Sequence, residues 1–579
     1  MTLDGLTLHY IVEELKAHII GCKVDKVHQP QPDTVVLSLR APGKSPKLLI
    51  SAGAFDCRLH LTEQKYANPQ SPPMFCMFLR KHLTGAKIVD IAQTGLERIV
   101  RITMEAKDEL GLARRLVLIA ELMGKYSNVI LTENNVIMDS LRHVTKSLSR
   151  VRCVLPSLEY EEPQSTKLNP KTISRPTLVE MLHKKGGAKI KSYLSSLLQG
   201  VSGQTADEIL WRYMPEGYME HPREAERIAD VILDFFKETP RPTMYLRQDV
   251  PFFYAALPFH GVAADETVAA QTVNSLVDTY YYRLRELEIL GRKRESLHRL
   301  VSKQLEKLAQ TLQKQQFTME QAKKAEIYKS QGDLITANIY RITRGLQTLV
   351  AQDYITGKDV AITLDTRLSP AANAQLQYKK YNKLRQSLDI VAKRIAQTSA
   401  DIAFLESVQV SLDASDTLDE LAETEYELAK AGFMPRAHTA MRTTQAPSEP
   451  HRFISSDGYT ILAGKNNRQN DLLTMKTAAP DDIWLHTKDI PGSHVLICSA
   501  KGNAPETTLL EAATIAAYLS KAKSGAKVAV DYAPRKHVRK PNGAKPGMVV
   551  YEGYNTLLVS PDKSLFEKLL VMPPTKNKV

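Results

Sequence analysis

No proline occurs between Gly261 and Ser369, and after Pro370 none occurs again until Pro435. Proline inside a helix removes a donor and clashes with the preceding turn, so two stretches of this length permit very long helices. The outgoing stretch carries an apolar stripe of Leu287, Leu290, Leu297, Val301, Leu305, Leu308 and Leu312. The returning stretch repeats Leu384, Leu388, Val391, Ile395, Ile402 and Leu405 in steps of four and three, with Thr398 at the polar position. That is a heptad seam. The two halves predict an antiparallel coiled-coil arm over 265–435, closed within one chain or paired between chains, with a small insert at 332–370. A helix of about 60 residues spans roughly 90 Å, so such an arm reaches far from any globular body. Arg283, Arg285, Arg292, Lys293, Arg294 and Arg299 decorate its base.

The rest of the 579 residues divides around this arm. Residues 1–170 read as a mixed α/β domain. Helical spacing runs over 6–20 and 72–83, and strand-like runs occur at 24–27, 34–39, 48–51, 87–92, 98–104 and 115–120. Asn134-Asn135 before VIMDS is a hairpin turn. Residues 171–245 predict a small helical, helix-hairpin-helix-like domain, in which Lys184-Lys185-Gly186-Gly187 is either a turn or a phosphate-facing helix start. Residues 436–450 are a polar Pro/Thr/Ser linker. Residues 451–579 predict a second α/β domain with a hairpin at Asp457-Gly458, strands at 483–486, 495–498 and 528–532, a helix over 507–519, and a terminal strand, turn and strand. The fold class is therefore multidomain α+β.

Lys and Arg number 77 against 64 acidic residues, a net charge of +13, which favours a polyanionic partner. The five cysteines form no CxxC pair, so they read as reduced thiols rather than zinc ligands. The N-terminus has no signal-peptide core, and no apolar run is long enough to span a membrane. A cytoplasmic protein with no membrane partner and no cofactor is expected. His486 and His494 lack a third ligand, so no metal is expected. The absence of an acidic metal cluster, a nucleophile–base pair and a P-loop argues against a nuclease or other enzyme.

Four motifs occur in a fixed order: GLERIVRI, ELMGKYSNVILTENNVIMDS, GDLITANIY with LSPAANAQLQYKKYNKL, and GKNNRQND with DIWLHTKDIPGSHVLI. In this order they resemble the NFACT family over nearly the whole chain. The first two resemble its NFACT-N domain and the last its NFACT-R domain. The branch resembled is that of bacterial RqcH-type ribosome quality control proteins, related to eukaryotic NEMF and sometimes carrying the older label of fibronectin-binding protein. The resemblance implies binding to a large ribosomal subunit, through its rRNA and proteins, that is still blocked by peptidyl-tRNA. It further implies recruitment of alanyl-tRNA and template-free addition of C-terminal alanines. Peptide bonds would form at the ribosomal peptidyl transferase centre, so the chain itself is not expected to be an enzyme. The alternative is a surface adhesin with fibronectin as partner, against which the missing secretory signal, the missing wall anchor, the unpaired cysteines and the basic loop argue.

The same resemblance assigns tRNA contact to Glu97 and Arg98, where the family usually has Asp-Arg, and to Glu121, Leu122, Met123, Lys125, Ser127 and Asn128. Read as residues alone, Glu97 and Arg98 could equally form an internal ion pair, and Leu122 and Met123 favour the core. Tyr126 stands where the family often has histidine and could stack on a base. Asp4-Gly5 also fits the family. The NFACT-N fold resembles the N-terminal domain of formamidopyrimidine-type DNA glycosylases, but Thr2 and Leu3 replace the proline nucleophile and glutamate that chemistry needs. In the C-terminal domain Lys488, Ser493 and His494 are candidate RNA contacts, with His486 beside them, and Trp484 is either a stacking platform or core. Between Lys521 and Lys545 the chain carries many cations, including Arg535, Lys536, Arg539 and Lys540, against the single acid Asp531. An irregular loop of this composition either lies on rRNA phosphates or is a solvated basic surface.

Overall fold

The computed structural model describes residues 3–107, 111–149, 151–185, 189–214, 225–435, 448–498 and 500–571. Two units, 1–288 and 289–579, are each compact. Gly186, Gly187 and most of the expected 436–450 linker lie outside the described residues.

In the first unit, helix α1 (Gly5–Ile19) and helix α2 (Met74–Leu83) cover an antiparallel sheet. Its strands are β1 (Lys23–Gln31), β2 (Thr34–Arg40), β3 (Lys47–Ser51), β4 (Arg58–Leu61), β5 (Lys87–Gln93), β6 (Ile99–Lys107), β7 (Ala113–Glu121), β8 (Asn128–Glu133) and β9 (Val136–Ser140). The nine strands are ordered β4-β3-β2-β1-β5-β6-β7-β8-β9. Alternation in β2 sends Val35, Leu37 and Leu39 into the core beneath α1, while Ser38 and Arg40 face outward. Asn134 and Asn135 both adopt positive φ, 48° and 66°, in the turn joining β8 to β9. That is the twist a two-residue hairpin requires.

The start of α1 is fixed by two neighbouring residues. The Asp4 side chain caps the helix by accepting from the Thr7 N–H at 2.8 Å, and its other oxygen accepts from Thr205 Oγ1 at 2.6 Å. Burial raises its carboxyl above the ordinary range against these hydrogen bonds and the nearby Arg98 charge. Gly5 is required because a Cβ there would sit 1.8 Å from the Leu96 carbonyl oxygen. Asp4-Gly5 is thus a packing device that sets α1 against the β5–β6 turn.

Helices α3 (Arg175–His183), α4 (Ile190–Leu197), α5 (Gly203–Tyr213) and α6 (Ala225–Phe235) pack around one core. Its core also takes Tyr245, Phe253, Leu257 and Phe259 from a three-stranded sheet of β10 (Thr243–Arg247), β11 (Val250–Ala255) and β12 (Glu266–Ala269). The expected boundary at 245 therefore falls inside a strand. Helix α7 (Val273–Lys323) begins in the first unit, where Val273, Leu276, Val277 and Tyr280 join the core of the nine-stranded sheet.

In the second unit α7 continues into α8 (Ala325–Ala337), followed by the hairpin β13 (Thr348–Gln352) and β14 (Asp359–Thr363), then α9 (Pro370–Ala414) and α10 (Leu418–Lys430). Val301 shares a core with Leu405 and Val408, whereas Gly332 lies against the Tyr378 ring, so the outgoing and returning helices run antiparallel. Helix α8 runs through Gly332 to Ala337, past the expected break at 332. A Cβ at 332 would meet Tyr378 at 3.0 Å, and Asp333 accepts from the Tyr378 hydroxyl at 2.6 Å. Leu290, Leu297 and Val301 are buried as expected, while Leu287 is 39% exposed. The core is closed by Leu421 and Leu428 of α10, so the base is a three-helix contact rather than a two-helix seam.

The C-terminal domain has a six-stranded sheet ordered β15-β16-β18-β17-β19-β22. Its strands are β15 (His451–Ile454), β16 (Thr460–Ala463), β17 (Ile483–Thr487), β18 (Val495–Ile497), β19 (Val528–Pro534) and β22 (Asn555–Val559). Helices α11 (Asn467–Leu472), α12 (Glu506–Tyr518) and α13 (Lys563–Leu569) complete it. The terminal strand, turn and strand are β21 (Val550–Tyr551) and β22; β21 pairs with β20 (Val538–Arg539), and β22 with β19.

Gly5→Ala is expected to destabilise the first unit by about 3 kcal/mol, because the carbonyl it would strike is backbone and cannot swing away. Denaturant unfolding of the full-length protein checks this.

Candidate nucleic-acid interfaces

The first interface is made by strand register. Ile99 of β6 lies opposite Glu121 of β7, and one step further the Leu122 N–H donates to the Arg98 carbonyl at 2.8 Å. This pairing sets the Glu97-Arg98 turn beside the segment from Glu121 to Asn128. Glu97 accepts from Ser165 Oγ at 2.6 Å, and its carbonyl accepts from the Gln93 side chain at 2.8 Å. Glu97 and Arg98 are half-buried. Gly124, at φ 61°, opens a 3-10 turn over Gly124–Tyr126 that projects two side chains. Lys125 is exposed with its Nζ 4.9 Å from the Tyr126 ring centroid, and Tyr126 is 70% exposed.

Glu121, Leu122, Ser127 and Asn128 are buried, which corrects their expected role as RNA contacts. Glu121 is fully buried and takes both terminal nitrogens of Arg152, one at 2.8 Å, together with the Tyr160 hydroxyl at 2.8 Å. Burial and the Glu121 charge push the Tyr160 hydroxyl up. Burial alone would depress Arg152, but the hydrogen bonds and charge of Glu121 outweigh it and hold the guanidinium above its usual range. Leu122 is core. The Asn128 side chain accepts from the Arg142 N–H at 2.9 Å and donates to the Arg142 carbonyl at 2.8 Å, tying the two segments together. The Ser127 hydroxyl is buried, and its carbonyl accepts from the Arg142 side chain at 3.2 Å. Met123 is half-buried. The surface offered to a ligand therefore comprises Glu97, Arg98, Lys125 and Tyr126, mounted on Glu121, Asn128, Arg142 and Arg152. The two arginines carry no local sequence signal.

In the C-terminal domain Trp484 is fully buried, which makes it core rather than a stacking platform. It stacks with His486 at 5.8 Å between centroids and meets Tyr551 at 4.8 Å and His494 at 5.2 Å. His494 is buried, and its Nδ1 pairs with Thr474 Oγ1 at 2.7 Å. Burial holds His486 down at about 4, and burial plus the neighbouring His486 puts His494 well below the usual range. Both rings are therefore neutral near pH 7 and offer no cation to phosphate. Ser493 is also buried. Lys488 and His486 are half-buried, and the Lys488 Nζ lies 5.1 Å from the Tyr554 ring centroid. Among the described residues no three His, Cys, Asp or Glu side chains converge as metal ligands.

The basic stretch is more ordered than a loop. Arg535–His537 form a 3-10 turn, and Arg535 donates to the Thr474 carbonyl at 2.7 Å. Lys536 pairs with Asp481 at 2.9 Å, Lys521 with Glu406 of α9 at 2.9 Å, and Lys540 with Asp471. Lys545 pairs with Asp401 of α9 and also lies 4.9 and 4.6 Å from the ring centroids of Phe404 and Phe433. Several of these lysines thus dock the domain onto its own helices. Arg539, Lys523 and Lys527 are exposed. Exposed pairs such as Lys536–Asp481 are worth little and can be exchanged for a phosphate.

The same docking surface buries Glu427 of α10. The Asn467 amide lies beside its carboxylate and donates to Ser407 Oγ at 2.8 Å. Burial raises Glu427 to about 8 against the Asn467 amide, with Asp471 adding to the rise and Lys540 and Arg468 opposing it.

Comparison with known proteins assigns both domains. Residues 4–446 match the NFACT N-terminal and middle domains, and residues 449–553 match the NFACT protein RNA binding domain. The chain is 35% identical to the Rqc2 homolog RqcH of Bacillus subtilis, covering 98% of this chain and 100% of that one. It is 24% identical to the ribosome quality control complex subunit NEMF of Mus musculus, over 59% of this chain and 34% of NEMF. The N-terminal part of the fibronectin/fibrinogen-binding protein from Streptococcus suis aligns with a TM-score of 0.42 at 32% identity, covering 48% of this chain and 99% of that structure.

Two outcomes are expected. Glu121→Ala strands Arg152 and is expected to cost about 3–5 kcal/mol in unfolding measurements, whereas Lys125→Ala leaves stability unchanged within about 0.5 kcal/mol and lowers tRNA affinity. The second concerns pH. Glu427 is raised in the folded state from 4.5 to about 8. Its contribution is fully present below pH 4.5 and is lost as pH rises toward 8. Thermal unfolding of Glu427→Gln should show less loss of stability across that window than the parent.

Proposed function

This chain belongs to the NFACT family of ribosome quality control proteins, in its bacterial RqcH-type branch, and on that premise we propose that it acts on large ribosomal subunits still blocked by peptidyl-tRNA. It recruits alanyl-tRNA and directs template-free C-terminal alanine tailing, which marks the stalled product for degradation. The observation that carries this reading is the β6–β7 register, which sets Glu97-Arg98 beside Lys125-Tyr126. The Arg98 guanidinium suits a phosphate or base edge, and the exposed Tyr126 ring with its neighbouring ammonium suits an unstacked base in a tRNA loop. In this reading the peptide bond forms at the ribosomal peptidyl transferase centre, and the chain positions tRNA without catalysing. The RNA-binding domain engages rRNA through Arg539, Lys488 and those lysines that exchange a carboxylate for a phosphate. The antiparallel helices act as a coiled-coil arm whose tip reaches across the subunit. Among the described residues no helix is long and apolar enough to cross a membrane, and the work of the protein is cytoplasmic and ribosome-associated.

Sequencing of RNA co-purified with the tagged protein tests the proposal. Wild type should carry large-subunit rRNA and alanyl-tRNA, and Glu97→Ala plus Arg98→Ala should lose the tRNA while keeping the rRNA. Large-subunit rRNA without selective tRNA would reduce the protein to a ribosome-binding factor. Neither RNA in the wild type would sink the translation reading and return the fibronectin-binding adhesin.

A further inference from the structure

A second cationic site lies on the other half of the nine-stranded sheet. Strand register lines up Lys26, Ser38 and Lys47 across β1, β2 and β3, with His28 opposite Val36 in the next row. The segment after β4 crosses this face and encloses a cavity of about 270 Å³ lined by His28, Ser38, Lys47, Lys65, Tyr66 and Asn68, among others. The crossing segment is anchored. Asp278 accepts from Thr62 Oγ1 at 2.7 Å and from the Glu63 N–H at 3.0 Å, and the Arg285 guanidinium lies 4.7 Å from the Tyr66 ring centroid. The wall is therefore a fixed part of the fold.

The cavity differs from the basic stretch of the C-terminal domain in one decisive respect. There Lys521, Lys536, Lys540 and Lys545 are each paired with a carboxylate. Here no carboxylate lines the cavity. Among the described residues no ion pair or side-chain hydrogen bond engages Lys26, Lys47 or Lys65, nor the side chains of His28, Ser38 or Asn68. Holding like charges together without a counterion costs free energy, and an anion in the cavity would recover it. Burial depresses His28, and the charges of Arg80, Lys26 and Lys47 all act in the same direction. The volume is at the small end for ligand sites, which suits one phosphorylated unit rather than a folded RNA surface.

We propose that this cavity is a nucleotide-phosphate site, in which Lys47 and Lys65 hold the phosphate while Ser38, Asn68 and the edge of Tyr66 contact the nucleoside attached to it. The phosphate comes either from a free mononucleotide or from a single-stranded RNA segment. The site is separate from the Glu97-Arg98 turn, which follows β5 and precedes β6, and it does not depend on the tailing reading.

The full-length protein is titrated at low salt with uridine monophosphate by calorimetry, and with dye-labelled hexauridylate lacking a terminal phosphate by fluorescence anisotropy. Lys47→Gln plus Lys65→Gln should weaken at least one of these at least tenfold, and Lys47→Glu plus Lys65→Glu should abolish it. Thermal midpoints of the glutamine pair should be unchanged. Loss confined to the mononucleotide identifies a free nucleotide as the ligand, and loss confined to hexauridylate identifies an RNA strand. Affinities for both probes that are equal in wild type and the glutamine pair would overturn the site. Binding lost in Glu97→Ala plus Arg98→Ala but kept in the lysine pair would overturn it as well, by assigning the ligand to the first interface.

Discussion

The register of β6 against β7 is the constraint on which the N-terminal interface depends. It decides that Arg98 and Leu122 share a hydrogen bond, and so that two motifs separated in sequence become one surface. The register is held from both sides. Ile102, Leu116 and Leu118 are core residues, and a one-residue slip would turn them to the opposite face. Across the end of the ladder, the buried Glu121 carboxylate is matched by Arg152 and Tyr160 from a later segment. A slip would strand that charge in the interior, which is far more costly than losing an exposed pair. On the other side of the turn, α1 approaches so closely that its first residue must be glycine. The turn bearing Glu97 and Arg98 is therefore fixed by a ladder, a buried ion pair and a helix start together. Pre-organisation of this kind lowers the ordering cost of binding a flexible RNA loop.

Net charge alone gives a poor account of where RNA would bind. The chain carries +13, but much of its basic character is used internally. At the base of the long helices Arg283 pairs with Asp249, Lys293 with Glu425 and Arg299 with Glu295, while Arg294 donates to the Ser415 carbonyl. The cations that remain are distributed unevenly. Lys125 sits beside an exposed aromatic ring, Arg539 stands on the surface of the RNA-binding domain, and Lys47 and Lys65 line one cavity with Lys26 in register beside them. It is this remainder, not the total, that sets the local potential a phosphate meets.

Most of the regular structure was legible because hydrophobic period and turn chemistry agree with tertiary burial. The strand-like runs at 34–39 and 115–120 alternate or run apolar, and each lies in the sheet; Asn134-Asn135 supplies the left-handed turn its type suggests. The misses have separate causes. Strands β10 to β12 are short, and β11 carries Pro251 near its start, so neither period nor length marks them. Gly332 reads as a helix breaker, yet the helix continues because the missing side chain admits Tyr378. At the interface, residue type alone does not reveal direction. Glu121, Ser127 and Asn128 are polar and adjacent to Lys125, but their partners Arg152, Tyr160 and Arg142 lie 14 to 39 residues away. Those distant partners turn Glu121 and Asn128 inward, and nothing beside them in the sequence marks it. Trp484 follows the same logic: nothing in its neighbours marks it as core until β17 is placed between β18 and β19.

The lysines that tie the RNA-binding domain to α9 carry a consequence for how the domain can bind. The Lys545 ammonium lies between Asp401 and the rings of Phe404 and Phe433, and Lys540 is bound to Asp471 beside the buried Glu427. One ammonium cannot satisfy both a carboxylate and a phosphate at full strength. RNA that takes Lys545 must take it from Asp401, leaving that carboxylate to be hydrated or repelled, and RNA that takes Lys540 removes a charge that favours ionised Glu427. Contact with RNA at Lys545 therefore weakens the docking of the domain on α9, whereas contact through Arg539 or Lys488 does not. The partly buried Lys545–Asp401 pair is screened less by salt than phosphate contacts are, so rising ionic strength favours docking over RNA at this residue.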